Sequence, residues 1–201
     1  MRSLSRPTTA CWRASFLACL LLAGCVLSAP PAPPILTVLP DFSLVDANGA
    51  VVTRQSLSGR PLIADFVFTR CPAACPRLTA RMKELLGQLS ASSLVRLVSI
   101  SVDPEHDRPE VLAEYAARWE IRDPRWLFLT GERGAIWSLI REGFLLPVEA
   151  QDDPANPVLH TNRFALVDAS GNLRGTYEAF ESGALDRLLA DLATLEREEA
   201  R

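Results

Sequence analysis

An α/β fold is predicted for this chain by three observations. Strand-like and helix-like segments alternate along it, two of the strand-like runs are continuously apolar, and a close cysteine pair follows the first of those runs. The 201 residues and 22.0 kDa suit one domain with a terminal appendage and are too few for two full catalytic domains. Apolar residues at 48% against charged residues at 22% are enough to fill a core, which excludes a disordered chain. A net charge of −3 and an isoelectric point near 5.5 lack the basic excess of a nucleic-acid binder, so nucleic acid is not an expected partner.

The appendage is N-terminal. Residues 1–24 carry Arg2, Arg6 and Arg13, no acid, and the short apolar run Phe16 to Ala23, which is the layout of a secretory signal. The run is shorter than the ~20 residues of a membrane span, and the Pro-rich stretch from Ala29 to Pro34 follows it closely. The run ends Leu22-Ala23-Gly24-Cys25, which resembles the lipobox of bacterial lipoproteins and makes Cys25 the expected lipid acceptor. Cleavage before Cys25 leaves 18 basic against 24 acidic residues, a distinctly acidic mature chain. Several acyl chains on one residue hold a protein on a membrane without spanning it. The predicted organisation is a lipoprotein signal peptide at 1–24, a Pro/Ala-rich tether at 25–39 and one domain at 40–198, exported and anchored on the extracytoplasmic (periplasmic) side of a membrane.

Within the domain, Asp41 to Asp46 and Val51 to Thr53 flank Asn48-Gly49 as a hairpin. Pro61 to Thr69 is a buried-strand run that stops at the cysteines. Arg77 to Leu89 places Leu78, Met82, Leu85, Leu86 and Leu89 on one helical face. Leu94 to Val102 is a second buried strand. Pro109 to Trp119 is a helix with Asp107 as its expected N-cap and Pro109 in its first turn. Trp126 to Thr130 is a strand, Arg133 to Glu142 a helix, and the Pro-rich, acidic stretch 147–157 a long polar loop. Thr161 to Asp168 and Gly175 to Glu178 form a hairpin about Ala169 to Asn172, with His160 opening its first strand. Ala184 to Arg197 is a last helix with a leucine stripe. The tryptophans Trp119, Trp126 and Trp137 fall on apolar faces and read as packing. This order is the thioredoxin-like topology with an N-terminal β-hairpin extension, and it puts the cysteines at the carboxyl end of a sheet strand, where α/β folds gather ligands.

Of five cysteines, Cys11 and Cys19 leave with the signal and Cys25 takes the lipid, so only Cys71 and Cys75 remain as thiols. One close pair does not staple an exported fold, so it is a site candidate. The pair reads Cys71-Pro72-Ala73-Ala74-Cys75-Pro76, one residue longer than a redox Cys-x-x-Cys. A residue before proline avoids helical dihedrals, so the expected geometry has Cys75 as N-cap, Pro76 at the first helical position and the thiols looped over a helix start. The positive end of that helix favours thiolate. Two such thiolates suit disulfide exchange or a soft metal.

The stretch Phe66-Val67-Phe68-Thr69-Arg70-Cys71-Pro72-Ala73-Ala74-Cys75-Pro76 resembles the signature of the Sco/SenC family, copper-binding thioredoxin-like proteins of cytochrome c oxidase assembly. Ser99 to Pro109, Trp126 to Gly131 and His160-Thr161 with Leu166-Val167-Asp168 match further landmarks of that family, from about residue 40 to 195. The resemblance implies a copper site, Cu(I) or Cu(II), on Cys71, Cys75 and His160, with the copper-centre subunit of the oxidase as partner. The softness of thiolates toward Cu(I) agrees with it. Two departures stand out: Ala73 and Ala74 replace polar or acidic residues between the cysteines, and Asp65 lies inside a strand where an apolar or aromatic residue is usual.

The function expected from the resemblance is a membrane-anchored copper metallochaperone. The alternative is a thiol–disulfide reductase, with Cys71 and Cys75 as its redox pair, acting on the cysteines of the same copper centre or on other exported proteins. A peroxiredoxin-like peroxidase is a weaker reading of the same fold, for which Thr69 before Cys71 is insufficient. Turn and cap chemistry accounts for Asp103 and Asp107, which are carried as candidates for supporting the site or docking a client. His106 between Glu105 and Asp107 reads as a solvated turn residue.

Overall fold

The computed structural model describes residues 31–153 and 157–199. The signal peptide, Cys25 and the first part of the tether lie outside the described residues. Eight strands form one sheet in the order β1-β10-β9-β4-β5-β6-β2-β3. These are β1 Thr37–Val38, β2 Ser43–Asp46, β3 Val51–Thr53, β4 Leu62–Val67, β5 Arg96–Ser101, β6 Trp126–Thr130, β9 Arg163–Val167 and β10 Asn172–Glu178. The remaining two, β7 Val148–Ala150 and β8 Val158–His160, pair with each other in a separate antiparallel ribbon. The helices are α1 Arg54–Leu57, α2 Ala74–Gln88, α3 Pro109–Arg118, α4 Arg133–Ser138 and α5 Ala184–Glu199.

Strands β4, β5 and β6 run parallel, with Leu62 opposite Arg96 and Val67 opposite Ser101, whereas β9 joins the other side of β4 antiparallel. All six residues of β4 are buried, and because successive side chains point to opposite faces, both faces of the sheet centre are covered. Phe66, Phe68, Phe144 and Phe164 are among the largest fully buried side chains. Phe66 meets Phe144 edge to face with ring centres 5.1 Å apart, a favoured aromatic geometry. Trp126 is buried and stacks on Phe128, while Trp119 and Trp137 pack half-buried against the core.

The thioredoxin-like order of elements and the N-terminal hairpin β2–β3 are present as the sequence predicts. Four local expectations are corrected. The chain joins the sheet at Thr37, inside the stretch assigned to the tether, because β1 pairs with β10 and the Leu36 and Leu39 amides donate to Leu173 and Gly171. The supposed long loop 147–157 is held at both ends by the β7–β8 ribbon, so His160 closes β8 and does not open β9. The helix at 133–142 is α-helical only to Ser138 and continues as a π-turn over Leu139–Gly143. Asp107 does not cap α3, whose N-cap is Arg108 with no side-chain bond. Pro109 at the first helical position needs no amide partner there.

The β9–β10 turn shows how a carboxylate fixes this fold. Asp168 accepts from the amides of Ser170 (3.0 Å) and Asn172 (2.9 Å), from Asn172 Nδ2 (2.9 Å) and from Arg174 Nη1 (2.8 Å). Burial works against its charge, but the bonds from Asn172, Arg174 and Ser170 outweigh it and hold the carboxyl below the usual range. A carboxyl depressed in the folded state stabilises above its unfolded pKa and loses that contribution as pH falls through the folded one. Asp168→Asn is therefore expected to lose about 1–3 kcal/mol at pH 7. Urea denaturation should show this gap narrowing below pH 4, and a gap independent of pH would contradict the charge-based account.

Candidate metal and thiol site

The chain leaves β4 through a turn in which the Cys71 amide donates to the Phe68 carbonyl at 3.2 Å. Helix α2 then begins at Ala74, earlier than the sequence reading placed it. Its N-cap is Ala73, so Cys75 and Pro76 both fall in its first turn and the expected capping role of Cys75 is corrected. Proline is tolerated there because first-turn amides have no partner within the helix. Ala73 has no side chain with which to cap, and the Cys71 sulfur takes that role by accepting the Cys75 amide at 3.4 Å. The Cys75 sulfur in turn accepts the Phe68 amide at 3.4 Å.

Both cysteines are free thiols, but they differ sharply. Cys75 is completely buried and Cys71 is 8% exposed. A hydrogen bond from the Cys75 thiol is the largest influence on Cys71. With smaller help from the Cys75 and Ala73 amides, it overcomes burial and lowers Cys71 to about 3. Cys75 is pushed far up by the same bond and by its burial. The pair therefore holds one proton, on the inner sulfur.

His160 reaches the site from the end of β8. Its Nε2 lies 3.5 Å from the Cys75 sulfur, its ring stands edge-on to Phe68 at 5.5 Å, and its Nδ1 is 3.0 Å from the Thr161 carbonyl. A carbonyl only accepts, so Nδ1 carries the proton and the Nε2 lone pair faces the sulfur. The structure thus gathers Cys71, Cys75 and His160. Among the described residues, no group of three His, Cys, Asp or Glu side chains forms a closed metal cage.

Asp103 and Asp107 are buried at the neighbouring end of β5. Asp103 accepts from Arg70 Nε at 2.7 Å. Asp107 accepts from the Thr69 amide (3.0 Å), Thr69 Oγ1 (2.6 Å), Ser101 Oγ (2.7 Å) and His106 Nδ1 (2.9 Å). Both aspartates therefore brace the residues leading into Cys71. Thr69 and Ser101 were not recognised as its supports from sequence, where the only available signal for Thr69 was its place two residues before the cysteine.

Asp65 is fully buried on β4, opposite Ser99, and neither carboxyl oxygen has a hydrogen-bond partner. The Ser99 hydroxyl is engaged by Trp126 Nε1 at 2.9 Å. Burial raises Asp65 to about 7 against weaker downward pulls from Ser99 and His160, and its charge contributes to raising Cys75 and Tyr115.

The β–α–β order, the continuous central strand and a paired-cysteine loop over a helix start define a thioredoxin-like protein with a close thiol pair and an imidazole beside it. The SCO1/SenC family profile matches residues 33–195, and the chain belongs to that family. It is similar to a SCO1/SenC family lipoprotein from Bacillus anthracis, at 27% identity and a TM-score of 0.76, covering 83% of this chain and 99% of that one. BsSco is described as a member of the Sco family of cytochrome c oxidase assembly proteins with a disulfide switch. It matches at 30% identity and a TM-score of 0.72, over 82% of this chain and 98% of its own. Copper-bound ScoI from Bradyrhizobium japonicum matches at 27% identity and 0.66, over 79% and 99%.

The Asp65 carboxyl generates a prediction about stability. A carboxyl raised on folding keeps its proton in the folded state between about pH 4 and 7, so stability falls as pH rises through that window. Asp65→Asn removes the titration and is expected to be progressively more stable than the parent from pH 4.5 to 8, by a few kcal/mol and about 4 at most. Chemical denaturation of the reduced, metal-free protein at the two pH values measures this. Parallel stabilities would show that Asp65 ionises freely.

Proposed function

We propose that this protein is a copper chaperone, held by lipid on Cys25 at the extracytoplasmic side of a membrane, that carries copper between Cys71, Cys75 and His160 to the copper centre of cytochrome c oxidase. The observation that carries the reading is the imidazole lone pair aimed at the inner sulfur, with the other ring nitrogen fixed by the Thr161 carbonyl. A ligating histidine is ordinarily oriented in this way. Two thiolates and an imidazole are a soft donor set that suits Cu(I). The copper in ScoI, the oxidase assembly role of BsSco and the lipoprotein nature of the B. anthracis relative support the three parts of the reading.

Copper is the cargo, and the chain's own residues prepare for it. Cys71 already stands as a thiolate near neutral pH, whereas Cys75 must release its proton, so copper uptake should strengthen as pH rises. Cys75 is completely buried, which limits water at the inner sulfur.

The inequality of the two thiols favours a second reading. A more exposed thiolate beside a buried, protonated partner is the arrangement of a nucleophilic and a resolving cysteine, and BsSco is described as having a disulfide switch. In such a reductase, Cys71 would attack a client disulfide and Cys75 would release the reduced client, leaving a Cys71–Cys75 disulfide.

His160→Ala separates the two readings. Loss of one of three ligands is expected to weaken copper retention by at least about tenfold and to abolish oxidase maturation. Reduction of a model disulfide should be nearly unchanged. Equilibrium competition with a Cu(I) chelator and a thiol-exchange assay read the two outcomes, and full copper occupancy in the variant would overturn the chaperone reading with this ligand set.

The anchor is tested separately. Cys25→Ser is expected to block incorporation of labelled fatty acid and leave an uncleaved or released chain. Failure of the parent protein to take up label would remove the lipid anchor from the proposal.

A further inference from the structure

His106 is the other histidine of the chain, and it is more than a solvated turn residue. It is exposed, with 45% of its side chain accessible, while the Asp107 carboxylate behind it is completely buried. Asp107 accepts four hydrogen bonds, of which the one from His106 Nδ1 is 2.9 Å. A buried carboxylate with three other donors cannot turn away, and it only accepts, so the ring is held with its proton on Nδ1. Nε2, the nitrogen with the free lone pair, is then the one not engaged by the carboxylate. Carboxylate–imidazole pairing of this kind orients metal-ligating histidines.

The location gives this arrangement a use. His106 Nδ1 is also 3.4 Å from Thr69 Oγ1, and the Thr69 amide and hydroxyl are tied to the same carboxylate. Two residues later comes Cys71, the less buried of the pair at 8% exposed, whereas Cys75 is completely buried. Copper arriving from outside meets the Cys71 side first, and His106, on the loop that follows β5, is tied through Asp107 to the turn that carries Cys71.

We infer that His106 is a transient copper ligand, a port that captures the ion through Nε2 and passes it inward to Cys71. The inference rests on the copper reading for its purpose, but the site itself is tested independently. No bond to carbon and no electron moves in this step: the ion exchanges solvent or donor ligands for Nε2, and then Nε2 for the Cys71 thiolate.

The test uses the full-length chain in detergent micelles with 13C-labelled histidine, which contains only two imidazoles. In the Cys71→Ser, Cys75→Ser variant, substoichiometric Cu(II) is expected to broaden the His106 imidazole resonance selectively. Broadening of His160 alone, or of neither ring, would overturn the inference even if the cysteine site binds copper. With the cysteines intact, stopped-flow loading from a weak Cu(I) donor is expected to slow several-fold in His106→Gln while final occupancy stays within about twofold, since the port is absent from the loaded state. An unchanged rate, or a joint loss of rate and occupancy, would assign His106 a structural role and reject the port. If the parent takes up no copper at its cysteines, the proposed function fails, and the broadening experiment still decides whether His106 is a metal ligand.

Discussion

The site depends on two amide-to-sulfur contacts made within eight residues. Helix α2 starts without a capping side chain, and the Cys71 sulfur accepts the amide that would otherwise be unsatisfied. The Cys75 sulfur accepts the Phe68 amide, just past the end of β4. Each sulfur thus helps to complete local backbone structure while it awaits its chemistry. An alanine in the usual cap position is what gives Cys71 this part, so the short side chains between the cysteines bear on the electronic state of the thiol as well as on the surface that a client meets.

Around that turn, charge is arranged in two opposite ways. On the β5 side, Asp107 is buried with four donors and Asp103 with the Arg70 guanidinium, and they stiffen Thr69 and Arg70. On the inner side, Asp65 is buried with no hydrogen-bond partner, and its proton is retained by burial. A satisfied buried carboxylate costs little and orders its donors, whereas an unsatisfied one favours neutrality and weakens the strand that carries it. The same strand therefore delivers the thiols and contains the least comfortable residue of the core.

Most of the framework was legible in the sequence because its strands are continuously apolar and its helices carry leucine stripes. Strand β6 runs from Trp126 to Thr130 as read, and β4 and β5 differ from the reading only at their ends. The cysteine pair was legible from cysteine spacing and bookkeeping, and His160 beside it through the family resemblance. The β7–β8 ribbon was not, since Val148–Ala150 and Val158–His160 are three residues each, too short to show a period beside so many prolines and acids. Asp107 was misread because Asp-Arg-Pro has the local pattern of a helix start, while its main partner, Thr69, is 38 residues away in the chain. Long-range partners of this kind leave no local trace.

The place where the N-terminal segment joins the sheet has a geometric consequence. Thr37 pairs with Leu173, Leu173 lies opposite Val167, and Val167 lies opposite Leu62, so all four mark the starting end of β4. The thiols stand beyond the other end, past Val67, and six strand residues span about 20 Å. A chain leashed to a membrane through residue 25 would thus be attached at its base, with its thiols facing away from the lipid. Arg174 Nε donates to the Pro33 carbonyl at 2.8 Å, so at most the seven residues between Cys25 and Pro33 can serve as the leash, and they reach about 25 Å when fully extended. Such a leash gives the working end a hemisphere of positions above the bilayer and restricts the height at which a membrane-bound client can offer its own ligands.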